Sequence, residues 1–166
     1  LQLKRIAYLD VGCIATGFEL RVLAGAAAAR VPASSYLLLL TALLALFLGF
    51  GKRLHELTAG SGVEHHRDVL SVYRPSVLRG LLTVFGLATF VTYVVYTLDR
   101  ATRAMFGTDY LAVTSLFVAF GIWRFLYLVR SRPDSESPTE QMLRDRPFLA
   151  SLVLWVAAVL TVLYAT

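Results

Sequence analysis

Leu46-Phe47-Leu48-Gly49-Phe50-Gly51-Lys52-Arg53-Leu54-His55-Glu56-Leu57 is the stretch on which the reading of this chain turns. An apolar run from Tyr36 to Phe50 carries straight into Lys52, Arg53 and Glu56, with no turn signal before Gly60. On a continuing helix Lys52 and Glu56 stand four apart on one face, and Arg53 lies three from Glu56. Two cations and a carboxylate then sit where a membrane helix leaves the bilayer. Such a group suits a phosphorylated head group and a metal ion, because Lys and Arg are the usual phosphate ligands. It also suits a positive-inside stop with a helical salt bridge, and this stretch alone favours that simpler reading.

Composition places the stretch in a membrane. Of 166 residues, 57% are hydrophobic and only 16% charged, and the mean hydropathy is +0.66. A soluble domain of this length needs far more polar surface. The formal net charge of +5 suits an anionic leaflet or anionic substrates, and no interleaving with aromatics suggests nucleic acid. One cysteine, Cys13, excludes an internal disulfide and a multi-cysteine metal site. No cleavable signal follows Lys4 and Arg5, and the first residue is Leu, which suggests a fragment.

Five apolar stretches reach the length of about 20 residues that crosses a bilayer core: roughly 8–30, 35–52, 76–98, 110–129 and 148–164. Without alternating barrel strands, helices are the way to satisfy the backbone in lipid. The fold class read from this is all-α, a polytopic membrane helix bundle, with residues 1–166 as one transmembrane domain. Alternate connections hold Lys4, Arg5, Lys52, Arg53, Arg67, Arg74, Arg79, Arg130, Arg132, Arg144 and Arg146; the other set holds only Arg30, Arg100 and Arg103. The positive-inside rule puts the first set, with loops at about 58–75 and 130–147, in the cytoplasm.

The first helix carries charge that lipid disfavours. Asp10, Gly17 and Arg21 are spaced i, i+7 and i+11, close to one face, and Glu19 falls roughly opposite. Intramembrane ionisable groups point into a cavity or pair with one another. Asp10 reads equally as a helix-start residue and as a ligand; an ion pair between Glu19 and Arg124 competes with a ligand role for Glu19 or Arg21. In the loop that follows, His65 and His66 are adjacent and lack metal-ligand spacing. Tyr73 and Arg79 face the same interface as Lys52, with Pro75 opening a helix. Ser137-Pro138-Thr139-Glu140 reads as a capping box for a short helix over 138–146 on the inner leaflet, a connector or a lid.

Several strings go beyond topology: Leu9-Asp10-Val11, Gly17-Phe18-Glu19-Leu20-Arg21, Val31-Pro32-Ala33-Ser34, Gly51-Lys52-Arg53-Leu54-His55-Glu56, and Ser137-Pro138 through Arg144-Asp145-Arg146. Together they resemble the UbiA superfamily of membrane prenyltransferases, and within it the decaprenyl-phosphate phosphoribosyltransferase branch. The resemblance implies a bundle of nine helices around a cavity open to the cytoplasmic leaflet of a bacterial plasma membrane, of which this chain supplies the last five. The family's aspartate-rich Asn-Asp-x-x-Asp-x-x-x-Asp helix would lie upstream, and Lys4 would be the lysine of its Tyr-x-x-x-Lys motif. Where most members carry a second Asp-x-x-x-Asp, this chain has Lys52-Arg53-Leu54-His55-Glu56.

That departure favours a phosphosugar donor over a prenyl diphosphate. The implied reaction moves 5-phosphoribosyl from 5-phosphoribosyl diphosphate to a polyprenyl (decaprenyl) phosphate, for cell-wall arabinan precursors. The acceptor is already an anionic oxygen, so positioning and stabilisation of the leaving diphosphate suffice. Magnesium and Lys or Arg clamps supply these. The expected roles are Lys52 and Arg53 on phosphate and Lys4 on a diphosphate or acceptor phosphate. Asp10, Arg21, Tyr73 and Arg79 are further substrate-binding candidates, and Glu56 orients Lys52 or a magnesium-bound water. Two alternatives stay open: an aromatic prenyltransferase of the same superfamily, and a non-catalytic membrane scaffold.

Overall fold

The computed structural model describes residues 9–58, 74–131 and 138–164. Its helices in chain order are α1 (Leu9–Ala29), α2 (Ser35–Thr58), α3 (Pro75–Leu98), α4 (Arg100–Phe106), a 3-10 turn (Tyr110–Thr114) running into α5 (Ser115–Ser131), α6 (Pro138–Arg144) and α7 (Arg146–Tyr164). Among the described residues four stretches are long and apolar enough to cross a membrane, five if the bent pair α6–α7 is counted as one span. The chain is an all-α, multi-pass membrane bundle.

Local chemistry explains where these helices start and stop. α1 ends with Arg30 in the left-handed region (φ 55°). There the Arg30 and Val31 amides donate to Ala27 and Ala26 carbonyls at 3.1 and 3.0 Å, the paired bonds that close a helix C-terminus. Pro32 then prevents continuation. Ser34 opens α2, its Oγ accepting the Leu37 amide at 3.0 Å. Arg74 is held extended before Pro75, the first residue of α3. α2 itself runs unbroken through Gly49 and Gly51 to Thr58, so the helix continues past Lys52 as the sequence suggests.

Two segments differ from expectation. The 99–109 connection is not plain loop. Asp99 caps α4 by accepting the Ala101 and Thr102 amides at 3.1 and 3.3 Å, and Gly107 (φ 66°) closes it. The short helix expected over 138–146 ends at Arg144, and α7 leaves it at 74°. Pro147 is the cause: continuing α6 would set its ring against the Leu143 carbonyl. Asp145 instead caps the new helix, accepting the Phe148 amide at 3.0 Å. Ser137, the proposed cap of α6, lies outside the described residues.

The helices run up and down, and the core sits toward one end. Val11 (α1), Phe47, Phe50 and Leu54 (α2), Leu78 and Leu82 (α3), and Phe125 and Val129 (α5) form one buried cluster, with Met142 of α6 packed on it. Two glycines of the opening stretch make this possible. A Cβ on Gly49 would stand 2.6 Å from Val11 Cγ1, and one on Gly51 would overlap the Phe125 ring. α2 is thus approached closely by α1 on one side and α5 on another. The same end of the bundle carries Lys52, Arg53, Arg74, Arg79, Arg130, Arg144 and Arg146, while Arg30, Arg100 and Arg103 lie at helix ends on the other side.

Candidate functional site

Arg53 organises the basic end. Its Nε lies 2.8 Å from Asp10 Oδ2 on α1, and its Nη1 donates to Glu56 Oε2 at 2.5 Å one turn along α2. Asp10 Oδ1 also accepts the Val11 amide at 2.8 Å, fixing the carboxylate at the helix start. The guanidinium and both carboxylates are largely shielded, with side-chain exposures of 19%, 17% and 27%. A planar fork held from two sides has one orientation, which a lysine could not reproduce. Arg53 therefore ties α1 to α2. The expected Lys52–Glu56 pair is not formed, because Glu56 turns to Arg53. Lys52 is exposed and makes no ion pair among the described residues.

The structure brings Asp10, Arg53 and Glu56 together and leaves other candidates apart. Arg79 is exposed near the start of α3, at the same end. Arg21 is eleven residues beyond Asp10, about 16 Å along the helix at about 1.5 Å per residue. Its guanidinium is stacked over Phe18, 5.3 Å from the ring centroid. Asp10 reaches α2, while Arg21, farther along α1, is exposed and does not join that contact. Lys4 and Tyr73 lie outside the described residues, as do His65 and His66.

Among the described residues no three His, Cys, Asp or Glu side chains cluster as a metal site. Asp10 and Glu56 each give an oxygen to Arg53, so the pair clamps a guanidinium. His55, 4% exposed, is a buried neighbour of this clamp on α2.

A second charged contact corrects an expectation. Arg124 does not pair with Glu19. It makes a bidentate bond to Asp145, Nε to Oδ2 at 2.9 Å and Nη2 to Oδ1 at 2.7 Å. The geometry is the fork-on-carboxylate match that gives strong, oriented pairs. Because Asp145 also caps α7, one carboxylate fixes the α6–α7 elbow against α5. An Asp two residues before Pro147 was the readable signal for this cap. Depth in the membrane does not encode which helices meet.

Above the core lies an apolar cavity of about 480 Å³ between α2, α3, α5, α6 and α7. Phe47, Phe125, Phe148 and Trp155 form much of its wall, and Met142 and Leu143 of α6 close one side. Polar tips on the wall are occupied by one another. Trp155 Nε1 donates to Tyr93 Oη at 3.2 Å. Tyr93 and Thr114 hydroxyls share a 2.9 Å bond, and Thr114 donates its own proton to the Leu111 carbonyl at 2.5 Å. Tyr93 is therefore the donor to Thr114. Thr89 donates back to the Phe85 carbonyl at 2.7 Å.

No family model matches the chain. Across 97% of its length it is 27% identical to the decaprenyl-phosphate phosphoribosyltransferase of Corynebacterium glutamicum, covering 48% of that protein. It is 30% identical over 98% of its length to the Mycolicibacterium smegmatis protein of the same name, covering 53% of it. A Mycobacterium tuberculosis protein, again so named, is 27% identical over 95% of the chain and 51% covered. The chain spans about half the length of the curated relatives it matches.

Proposed function

We propose that this chain is part of a UbiA-type membrane phosphoribosyltransferase, one that moves 5-phosphoribosyl from 5-phosphoribosyl diphosphate to a polyprenyl phosphate. Similarity to three proteins named for decaprenyl phosphate supports the class. The observation that carries the site is the clamped Arg53 beside exposed Lys52, at the bundle end where the basic residues gather. By the positive-inside rule that end faces the cytoplasm of the plasma membrane.

In this reaction an oxygen of the lipid phosphate attacks the anomeric carbon of the ribose. The bond from that carbon to the diphosphate breaks, and the diphosphate leaves with the electron pair. The nucleophile is already deprotonated, so no residue need act as a strong base. Lys52 and Arg53 bind phosphate oxygens of the donor. Asp10 and Glu56 hold Arg53 in place, and Arg79, Tyr73 and Lys4 add charge or hydrogen bonds on the same side. Arg21, far along α1, would contact substrate only deeper in the bundle. Magnesium on the diphosphate would supply charge neutralisation, and Glu56 would help to hold it or a water bound to it. The product lipid would feed cell-wall arabinan synthesis.

Membranes containing the full-length protein, given radiolabelled 5-phosphoribosyl diphosphate or geranyl diphosphate with matched acceptors, test the class. Label from the phosphoribosyl donor should enter the lipid fraction, and Lys52→Ala should weaken that donor's binding more than the lipid's. Transfer from geranyl diphosphate alone, with Lys52→Ala neutral, would instead mark an aromatic prenyltransferase. No transfer from either donor would favour the scaffold.

A further inference from the structure

We propose that Arg124 and Asp145 are positioning residues of the transferase: their fork holds α6 across the cavity mouth, so that water does not compete with the lipid phosphate for the donor. The chemistry rests on the transferase reading above; the placement of α6 rests on geometry alone. The sequence allows a connector or a lid over 138–146, and the contacts favour the lid. α6 has only seven residues, and isolated helices shorter than about 12–15 residues are marginal in water. It depends on being held, and it is held at three points. Pro138 is fully buried, and Met142 packs on the buried cluster. Asp145, directly after the helix, takes two nitrogens of Arg124 at 2.9 and 2.7 Å while accepting the Phe148 amide. A plain connector needs none of these contacts.

The same contacts put α6 beside the basic end. Gly51, next to Lys52, meets the Phe125 ring, and Arg124, next to Phe125, carries the fork. α2 and the elbow therefore meet α5 at one height. The cluster under Met142 includes Phe50 and Leu54, which flank Lys52 and Arg53 in sequence. Met142 and Leu143 line the cavity from this side. Beneath them the Tyr93, Trp155 and Thr114 tips bond one another, and Thr89 bonds its own helix. Water needs two to four polar partners to settle in a cavity, and these groups do not supply them. With α6 in place, water is thus kept from the donor on this side. That matters because the anomeric carbon accepts either nucleophile. When water attacks, its oxygen bonds to that carbon, the bond to the diphosphate breaks, and the diphosphate leaves with the electron pair. The proton passes to solvent, and ribose 5-phosphate is lost in place of the lipid product. Excluding water decides between the two products.

The test uses the full-length protein in lipid nanodiscs, given decaprenyl phosphate and 5-phosphoribosyl diphosphate labelled in the ribose. Lipid-linked label and free ribose 5-phosphate are both counted. Asp145→Asn keeps a capping side chain for α7 but removes the charge that the fork needs. It should raise the ratio of ribose 5-phosphate to lipid product roughly tenfold, with the donor KM changed less than about threefold. Met142→Ala, which loosens α6 without touching the fork, should shift the ratio the same way. Thermal unfolding of each sample separates a misfolded variant from a folded one. A second readout needs no turnover. With Cys13→Ser, Ser151→Cys on the cavity wall should react slowly with a water-soluble thiol reagent, and several-fold faster once Asp145→Asn is added. Folded variants that lose both products in proportion would overturn the proposal. So would a Ser151→Cys that reacts, with α6 unaltered, as fast as exposed Ser76→Cys. Failure of the transferase reading looks different: no lipid-linked label from the unaltered protein, with the two Ser151→Cys rates still separated.

Discussion

At the scale of single residues, neighbouring cations have different tasks. Lys52 is exposed and Arg53 is held from two sides, so their loss should separate ligand binding from stability. Lys52→Ala is expected to leave thermal unfolding unchanged and to weaken 5-phosphoribosyl diphosphate binding roughly 10- to 150-fold, the equivalent of about 1.5–3 kcal/mol for a charge-assisted contact. Arg53→Ala should do both, leaving Asp10 and Glu56 facing each other without their cation. Isothermal titration of the donor and unfolding of the same samples would read the split; equal unfolding of both variants would contradict it. Arg124 should be more sensitive still. Breaking a shielded ion pair by removing one partner costs about 3–5 kcal/mol, and Arg124→Ala also loosens the elbow that Asp145 caps. Limited proteolysis of the 132–137 connection, together with unfolding, would register it.

At the scale of elements, the glycines in α2 matter more for closeness than for flexibility. Gly51→Ala forces a methyl into the Phe125 ring, which is itself wedged against Phe47 at a centroid distance of 4.8 Å. Overpacking of this kind costs about 1–3 kcal/mol, and the change should lower the unfolding temperature although alanine favours helix. An unchanged temperature would mean that α5 does not approach α2 this closely. α4 offers a contrast. Its Asp99 cap can be removed with Asp99→Ala for about 1 kcal/mol, and because α4 sits at the end opposite the basic cluster, donor binding should be unaffected. Titration of the same donor checks that separation.

At the scale of the whole molecule, the bundle sorts its charges by end. With Cys13 replaced by serine, Ser76→Cys at the start of α3 should be labelled by an impermeant thiol reagent only from the cytoplasmic side. Asp109→Cys, whose side chain is highly exposed, should be labelled only from the other. Reversed labelling would move the proposed site to the wrong face of the membrane. The distribution also explains why core and candidate site coincide. The buried cluster lies at the basic end, so Arg53 is presented from packed helices and not from a loop.

Much of this was written locally in the chain. Apolar runs, the Lys and Arg asymmetry, Ser34, Pro75 and the uninterrupted passage from Phe50 to Glu56 determined an all-α membrane bundle and where its helices lie, because backbone satisfaction in lipid and helix capping act over a few residues. Asp99 and Asp145 are equally local signals, each capping the helix that follows it. What the sequence by itself did not determine was partnership. That Glu56 meets Arg53 and not Lys52, that Arg124 meets Asp145 and not Glu19, and that Asp10 turns to α2 all depend on which helices adjoin and at what height. Gly49 and Gly51 set those heights through close contacts with Val11 and Phe125. Helical periodicity assigns a residue to a face, but only packing decides what stands opposite it.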